Sequence, residues 1–100
     1  MANPISSDDG RLKIIRHSLL YPSMGPKAVQ GAIKNVSAST VSAEIRAEFR
    51  DDSGRALGTV GITVENLAPD ETRLFDVWAE RLPDMYEVEG YEIVSLKVIS

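Results

Sequence analysis

The stretch "TVSAEIRAEFR" (Thr40–Arg50) alternates without a break. Val41, Ala43, Ile45, Ala47 and Phe49 fall on one side. Ser42, Glu44, Arg46, Glu48 and Arg50 fall on the other. A period of two is the geometry of a strand with one face buried and one face wet, and a helical period would scatter the five apolar residues around its circumference. The chain is therefore read outward from a β-strand.

"DDSG" (Asp51–Gly54) follows directly. Asp and Ser side chains bond the local backbone and Gly tolerates positive φ, so a turn is expected. Beyond it, in "RALGTVGITVEN" (Arg55–Asn66), Val60, Ile62 and Val64 share a face, with Leu57 out of phase. A bulge near Gly58 would absorb the slip, and the two segments read as a long hairpin. In "ENLAPDETRLFDV" (Glu65–Val77), Pro69 presets φ for the second position of a turn before Asp70. The strand that follows carries Phe75, Val77 and Ala79 on one side, opposite Leu74, Asp76 and Trp78.

Upstream, "KAVQGAIKNVS" (Lys27–Ser37) sets Val29, Gly31, Ile33 and Asn35 on one face. "RLKIIRHSLLY" (Arg11–Tyr21) is a first strand with two phases, Leu12 and Ile14 in one and Ile15, His17 and Leu19 in the other. "PSMGP" (Pro22–Pro26) breaks the chain between them. "RLPDMYEVEG" (Arg81–Gly90) is a connection with room for a helical turn, and "YEIVSLKVI" (Tyr91–Ile99) is the last strand. Six strands at short spacing without an intervening helix predict an all-β antiparallel sandwich or barrel. The sandwich core is expected to include Ile14, Val29, Ile33, Val41, Ile45, Phe49, Val60, Ile62, Phe75 and Val77.

Bulk composition narrows the function. One hundred residues make a single domain, read as 11–100 behind a polar, turn-rich arm or linker at 1–10. With 43% hydrophobic residues the chain can build a core and is not of the disordered class. A formal charge of −4 and a pI near 4.9 oppose a nucleic-acid partner, which needs clustered Lys and Arg. That balance and the lack of interleaved basic and aromatic strand residues also disfavour an oligonucleotide-binding barrel. There is no cysteine, so thiolate chemistry and disulfides are ruled out. No run of apolar residues is long enough for a transmembrane helix.

Reactive groups are sparse. His17 is the single histidine and shares a strand phase with Ile15 and Leu19, which suits a half-buried packing role. A Ser-His-Asp triad or a zinc site needs partners that the sequence does not supply in recognisable spacing. Asp8 and Asp9 with the "DDSG" turn offer oxygen atoms to calcium, although such turns form without it. "NVS" (Asn35–Ser37) is a glycosylation sequon, but Asn at a strand end also bonds local backbone. No catalytic residue, metal ligand set or cofactor is assigned, and no enzyme activity is expected.

The pattern of Val29, Gly31, Ile33, Asn35 and Ser37, then Phe49, Asp51, Gly54, Leu57 and Gly58, then Leu67, Pro69, Glu71, Phe75 and Val77 resembles the FxLYD-type domains. These are immunoglobulin-like β-sandwich modules. The resemblance spans Val29 to Val77 and implies an immunoglobulin-like sandwich of six or seven strands. It also implies an extracytoplasmic, cell-envelope accessory without catalytic residues. The function expected is therefore a protein-interaction or spacer module. A small-ligand or carbohydrate-binding β-module, with or without calcium, is the alternative.

One surface stands out. Leu74 and Trp78 lie opposite Phe75 and Val77, and the last strand reads as apolar on both sides, Tyr91, Ile93 and Ile99 against Val94, Leu96 and Val98. Leu74, Trp78, Tyr91 and Ile93 are thus a candidate apolar patch. The connection Leu82–Val88 would cover it with Leu82, Met85 and Tyr86, or a neighbouring domain or second copy would, so the chain is expected to be a monomer or weak homodimer.

Overall fold

The computed structural model describes residues 4–22 and 25–99. Among the described residues seven strands form two antiparallel sheets. β1 (Ile5–Ser6), β2 (Leu12–Leu20), β3 (Ala28–Asn35) and β6 (Thr72–Trp78) make the first, in the order β1-β2-β3-β6. β4 (Val41–Arg50), β5 (Ala56–Leu67) and β7 (Gly90–Val98) make the second, in the order β5-β4-β7. The chain changes sheet after β3, after β5 and after β6, which yields the sandwich that the alternating patterns predict. Two short 3-10 turns, Ala79–Arg81 and Met85–Glu87, carry the last of these connections.

Three strands slip phase, and each slip is a bulge. In β2 the register with β3 jumps between Ile14 and Arg16. One extra residue, Ile15, turns Leu12 and Ile14 and then His17 and Leu19 to the same side, so the two phases of the sequence are one inner face. In β7 the register with β4 jumps at Val94, which sends Tyr91, Ile93, Leu96 and Val98 inward together. In β5 Leu57 is unpaired beside Gly58 at φ 152°, and a second irregularity near the strand's end sets Glu65 and Asn66 against Ser42.

The core lies between the sheets. Phe49, Leu12, Ile14, Ile33, Ile45, Leu67, Val29 and Val77 are fully buried, with Phe75 nearly so. Of the expected core, Val60 and Ile62 are only partly buried, because β5 is the edge of its sheet and has a neighbour on one side only. Gly31 makes room for the Phe75 ring. A Cβ there would stand 2.6 Å from the ring's Cζ and 2.5 Å from the Arg16 carbonyl oxygen. The pairing Gly31↔Phe75 thus gives the place of a side chain to the Phe75 ring.

Asn35 ends β3 and ties three segments together. It is fully buried. Its Nδ2 donates to the Ser39 carbonyl at 2.7 Å and to the Leu67 carbonyl at 2.9 Å. Its Oδ1 accepts from the Ser37 N–H at 2.9 Å and the Ser37 hydroxyl at 2.7 Å. Its backbone bonds Glu71 and Asp70 in the turn after β5. In that turn Pro69 and Asp70 are the central residues, and Asp70 takes φ 63°, as the third position of a type II turn requires. The Glu71 N–H donates to the Ala68 carbonyl, and the Glu71 carboxylate accepts from the Ala68 N–H. Arg73 pairs with Glu71 at 2.7 Å and also donates to the carbonyls of Glu65 and Asn66.

The amino-terminal stretch differs from the expected arm. Ile5 and Ser6 pair with Ile14 and Lys13, and Ser7 is buried with its hydroxyl accepting from the Leu12 N–H. Residues 1–3, and Ser23 and Met24 in the break after β2, lie outside the described residues.

Candidate functional site

The sheet order β2-β3-β6 brings together residues far apart in sequence. On its outer face Arg16 and Leu74 flank Ala32, Ser18 and Asp76 flank Gln30, and Leu20 and Trp78 flank Ala28. The central strand is lined with small side chains at Ala28 and Ala32, and the flanking strands carry larger ones. The result is a shallow cleft of about 560 Å³ bounded by Arg16, Ser18, Gln30, Leu74 and Asp76, with Gly31 on its floor.

His17 also borders this cleft and is engaged with Tyr91, whereas four other polar side chains there are unengaged among the described residues. Among the described residues no hydrogen bond or ion pair joins the side chains of Arg16, Ser18, Gln30 or Asp76 to a protein group. By contrast Arg11, Arg46, Arg50, Arg55 and Arg73 each meet a carboxylate. Beside the unpaired cation, amide and carboxylate stands Leu74, 70% exposed, and at the end of the row Trp78, 39% exposed. A cationic donor, an acidic acceptor and apolar surface therefore converge on one sheet face.

The four residues singled out from the sequence do not form one patch. Leu74 and Trp78 are on the outer face of the four-stranded sheet. Tyr91 and Ile93 belong to the other sheet and pack against the core from its edge. The separation follows from the bulge at Val94, which makes β7 one-faced where its sequence reads as two-faced. Nor does the connection Leu82–Val88 cover Leu74. Leu82 points at Gly58, whose missing Cβ would stand 2.5 Å from it, and Met85 packs on the core. Tyr86 is 70% exposed and covers nothing. Val88, the last residue of that connection, is fully buried.

His17 is half-buried and faces across the sandwich. Its Nδ1 and the Tyr91 hydroxyl share a hydrogen bond of 2.7 Å, with the rings edge to face at 5.6 Å. The contact joins β2 to β7, and burial pushes the Tyr91 phenol above its ordinary pKa. The acidic turns use their own carboxylates. Asp9 accepts from the Arg11 N–H, the Ser7 hydroxyl and the Arg11 guanidinium, which lower its pKa to about 2. Asp51 accepts from the Ser53 hydroxyl, the Arg55 N–H and the Ser53 N–H, and is likewise lowered. Among the described residues no three His, Asp or Glu side chains are grouped as a metal site would group them. The sequon at Asn35 presents no accessible amide, because its Nδ2 is buried and bonded twice.

Leu74 and Trp78 were visible in the sequence as apolar residues on the wrong phase of a core strand. Arg16, Ser18, Gln30 and Asp76 were not, because only the pairing of β3 with both β2 and β6 makes them neighbours. Against known proteins, no family model, no curated protein and no solved structure matches the chain.

Proposed function

We propose that this chain is a non-catalytic β-sandwich module that holds or spaces other proteins through the outer face of its four-stranded sheet. The observation that carries this reading is the exposure of Leu74 and Trp78 beside the unpaired Arg16, Gln30 and Asp76. Polar side chains that find no partner in their own fold keep their hydrogen-bonding capacity for another molecule. Exposed aromatic and Arg side chains are the types that dominate protein contacts. The resemblance of Val29–Val77 to the FxLYD-type domains supports an immunoglobulin-like accessory of the cell envelope. The alternative, a carbohydrate ligand, draws on the same Trp78 and the same polar row.

The test is a photo-crosslinking side chain at position 74, compared with one at Thr63 on the other sheet, in cells that make the protein. Protein adducts at 74 that vanish on Asp76→Ala support the reading. Equal labelling at both positions, or none at 74, refutes it. Quenching of Trp78 fluorescence by a panel oligosaccharide would instead select the carbohydrate alternative.

A further inference from the structure

The sheets are unequal. Three strands face four, β5 approaches β6 along one side, and β7 approaches β2 along the other. The position with no strand is therefore beside β7, across from the two-residue β1. A cleft of about 270 Å³ opens there between Ile5, Ser6 and Asp8 on one wall and Ile93 through Lys97 on the other. β7 pairs only with β4, so among the described residues its second row of backbone N–H and C=O groups meets no strand. Tyr91, Ile93 and Val98 face the core and are still only partly buried.

We propose that a second copy of this chain occupies this position, with β7 pairing antiparallel to β7 of the other copy about a twofold axis between Val94 and Ser95. The strand is self-complementary in that register. Glu92 falls opposite Lys97 of the second copy, Ile93 opposite its Leu96, and Tyr91 opposite its Val98. Each cross-strand pair occurs twice, and opposite charges or two apolar groups set face to face favour an antiparallel pair.

The bulge makes the register possible. In a regular strand Glu92 and Lys97 point to opposite faces, and a twofold antiparallel pair cannot set them side by side. The extra residue at Val94 shifts the phase by one. Glu92 and Lys97 then share the outer face, while Tyr91, Ile93, Leu96 and Val98 share the inner one. Bulges and lysines on edge strands commonly deter pairing. Here the bulge meets the bulge of the second copy, and Lys97 meets the second copy's Glu92. The outer face already carries alternating charge, with Glu92 3.1 Å from Arg50 and Lys97 3.4 Å from Glu44. The new pairs continue that row across the axis. The interface uses a different surface from the face proposed above for other proteins, so the two readings stand or fall separately.

Sedimentation equilibrium at low salt, up to millimolar protein, tests the proposal with charge reversal. The wild type is expected to show a concentration-dependent mass. Glu92→Lys sets Lys against Lys at both ends of the interface, and Lys97→Glu sets Glu against Glu. Each alone should raise the dimer Kd at least about tenfold. An equimolar mixture of the two variants sets Lys against Glu at both ends and should recover wild-type association as a one-to-one heterodimer. Leu74→Ser should dimerise as the wild type does. A wild type that stays monomeric throughout overturns the proposal. So do single variants that associate normally, a mixture that fails to recover, or loss of association in Leu74→Ser.

Discussion

Replacing Asn35 by Ala tests whether one amide holds the junction of β3, the loop after it and the turn after β5. The substitution removes four hydrogen bonds, two donated by Nδ2 and two accepted by Oδ1. An intramolecular hydrogen bond contributes about 1 kcal/mol net, and a buried group left without a partner costs about 1–3 kcal/mol. The Leu67 carbonyl belongs to a fully buried residue and loses its amide partner, so it falls in the costlier class. The Ser37 and Ser39 groups are nearer water and recover part of their loss. The total is about 3–4 kcal/mol, out of about 5–15 kcal/mol for a domain of this size. In a 100-residue domain that lowers Tm by roughly 12–30 °C. Urea unfolding followed by far-ultraviolet circular dichroism reads the difference. Asn35→Asp sharpens the test, because a carboxylate keeps the acceptor for Ser37 but faces two carbonyls with no donor. Burial raises the folded pKa of that Asp, so its protonated form is the better tolerated one. The damage should be smaller below the ordinary carboxylate pKa and grow as pH rises through the folded value. An Ala variant within about 1 kcal/mol of wild type would refute the reasoning, since that is the size of a single ordinary hydrogen bond.

Gly31→Ala should cost at least about 1–3 kcal/mol by overpacking, because the Arg16 carbonyl is backbone and cannot swing away; thermal unfolding measures it, and a neutral result would mean the Phe75 ring moves freely. The Asp9 carboxyl should titrate near 2 by carbon-detected NMR. Its folded pKa is depressed, so its contribution to stability is complete above the ordinary Asp value and is lost as pH falls toward 2, and Asp9→Asn should abolish that part of the acid dependence. Leu74→Ser should leave stability within about 0.5 kcal/mol, as for other exposed positions away from structural features.

The sandwich was legible where alternation is clean. β4 has no irregularity in its own side-chain phase, and all five apolar residues of Val41–Phe49 are buried as the period of two requires. β2 and β7 were harder, because a single bulged residue in each makes one buried face look like two. Local sequence does not say which residue is extra; the partner strand does. The bulge at Leu57 in β5 was foreseeable, since Gly58 advertises it, while Ile15 and Val94 are ordinary strand residues. The buried Ala28 and Ala32 on the outer face were missed for a related reason. They are sealed by larger neighbours on β2 and β6, and that neighbourhood exists only once β3 lies between those strands.

The order of strands also governs how quickly the chain can reach its native state. β2 with β3 and β4 with β5 are neighbours in sequence, so each pair can zip from a nearby bend. The pairings that complete both sheets, β3 with β6 and β4 with β7, join residues about 40 to 55 positions apart. Closing such wide spans spends chain entropy before the new contacts return it. Folding should therefore fall in the millisecond-to-second range typical of topologies rich in distant contacts. Asn35 lies at the mouth of one of these spans and bonds the turn that delivers β6. Its loss should then slow folding as well as weaken the folded state, to the extent that this junction is already assembled at the rate-limiting barrier.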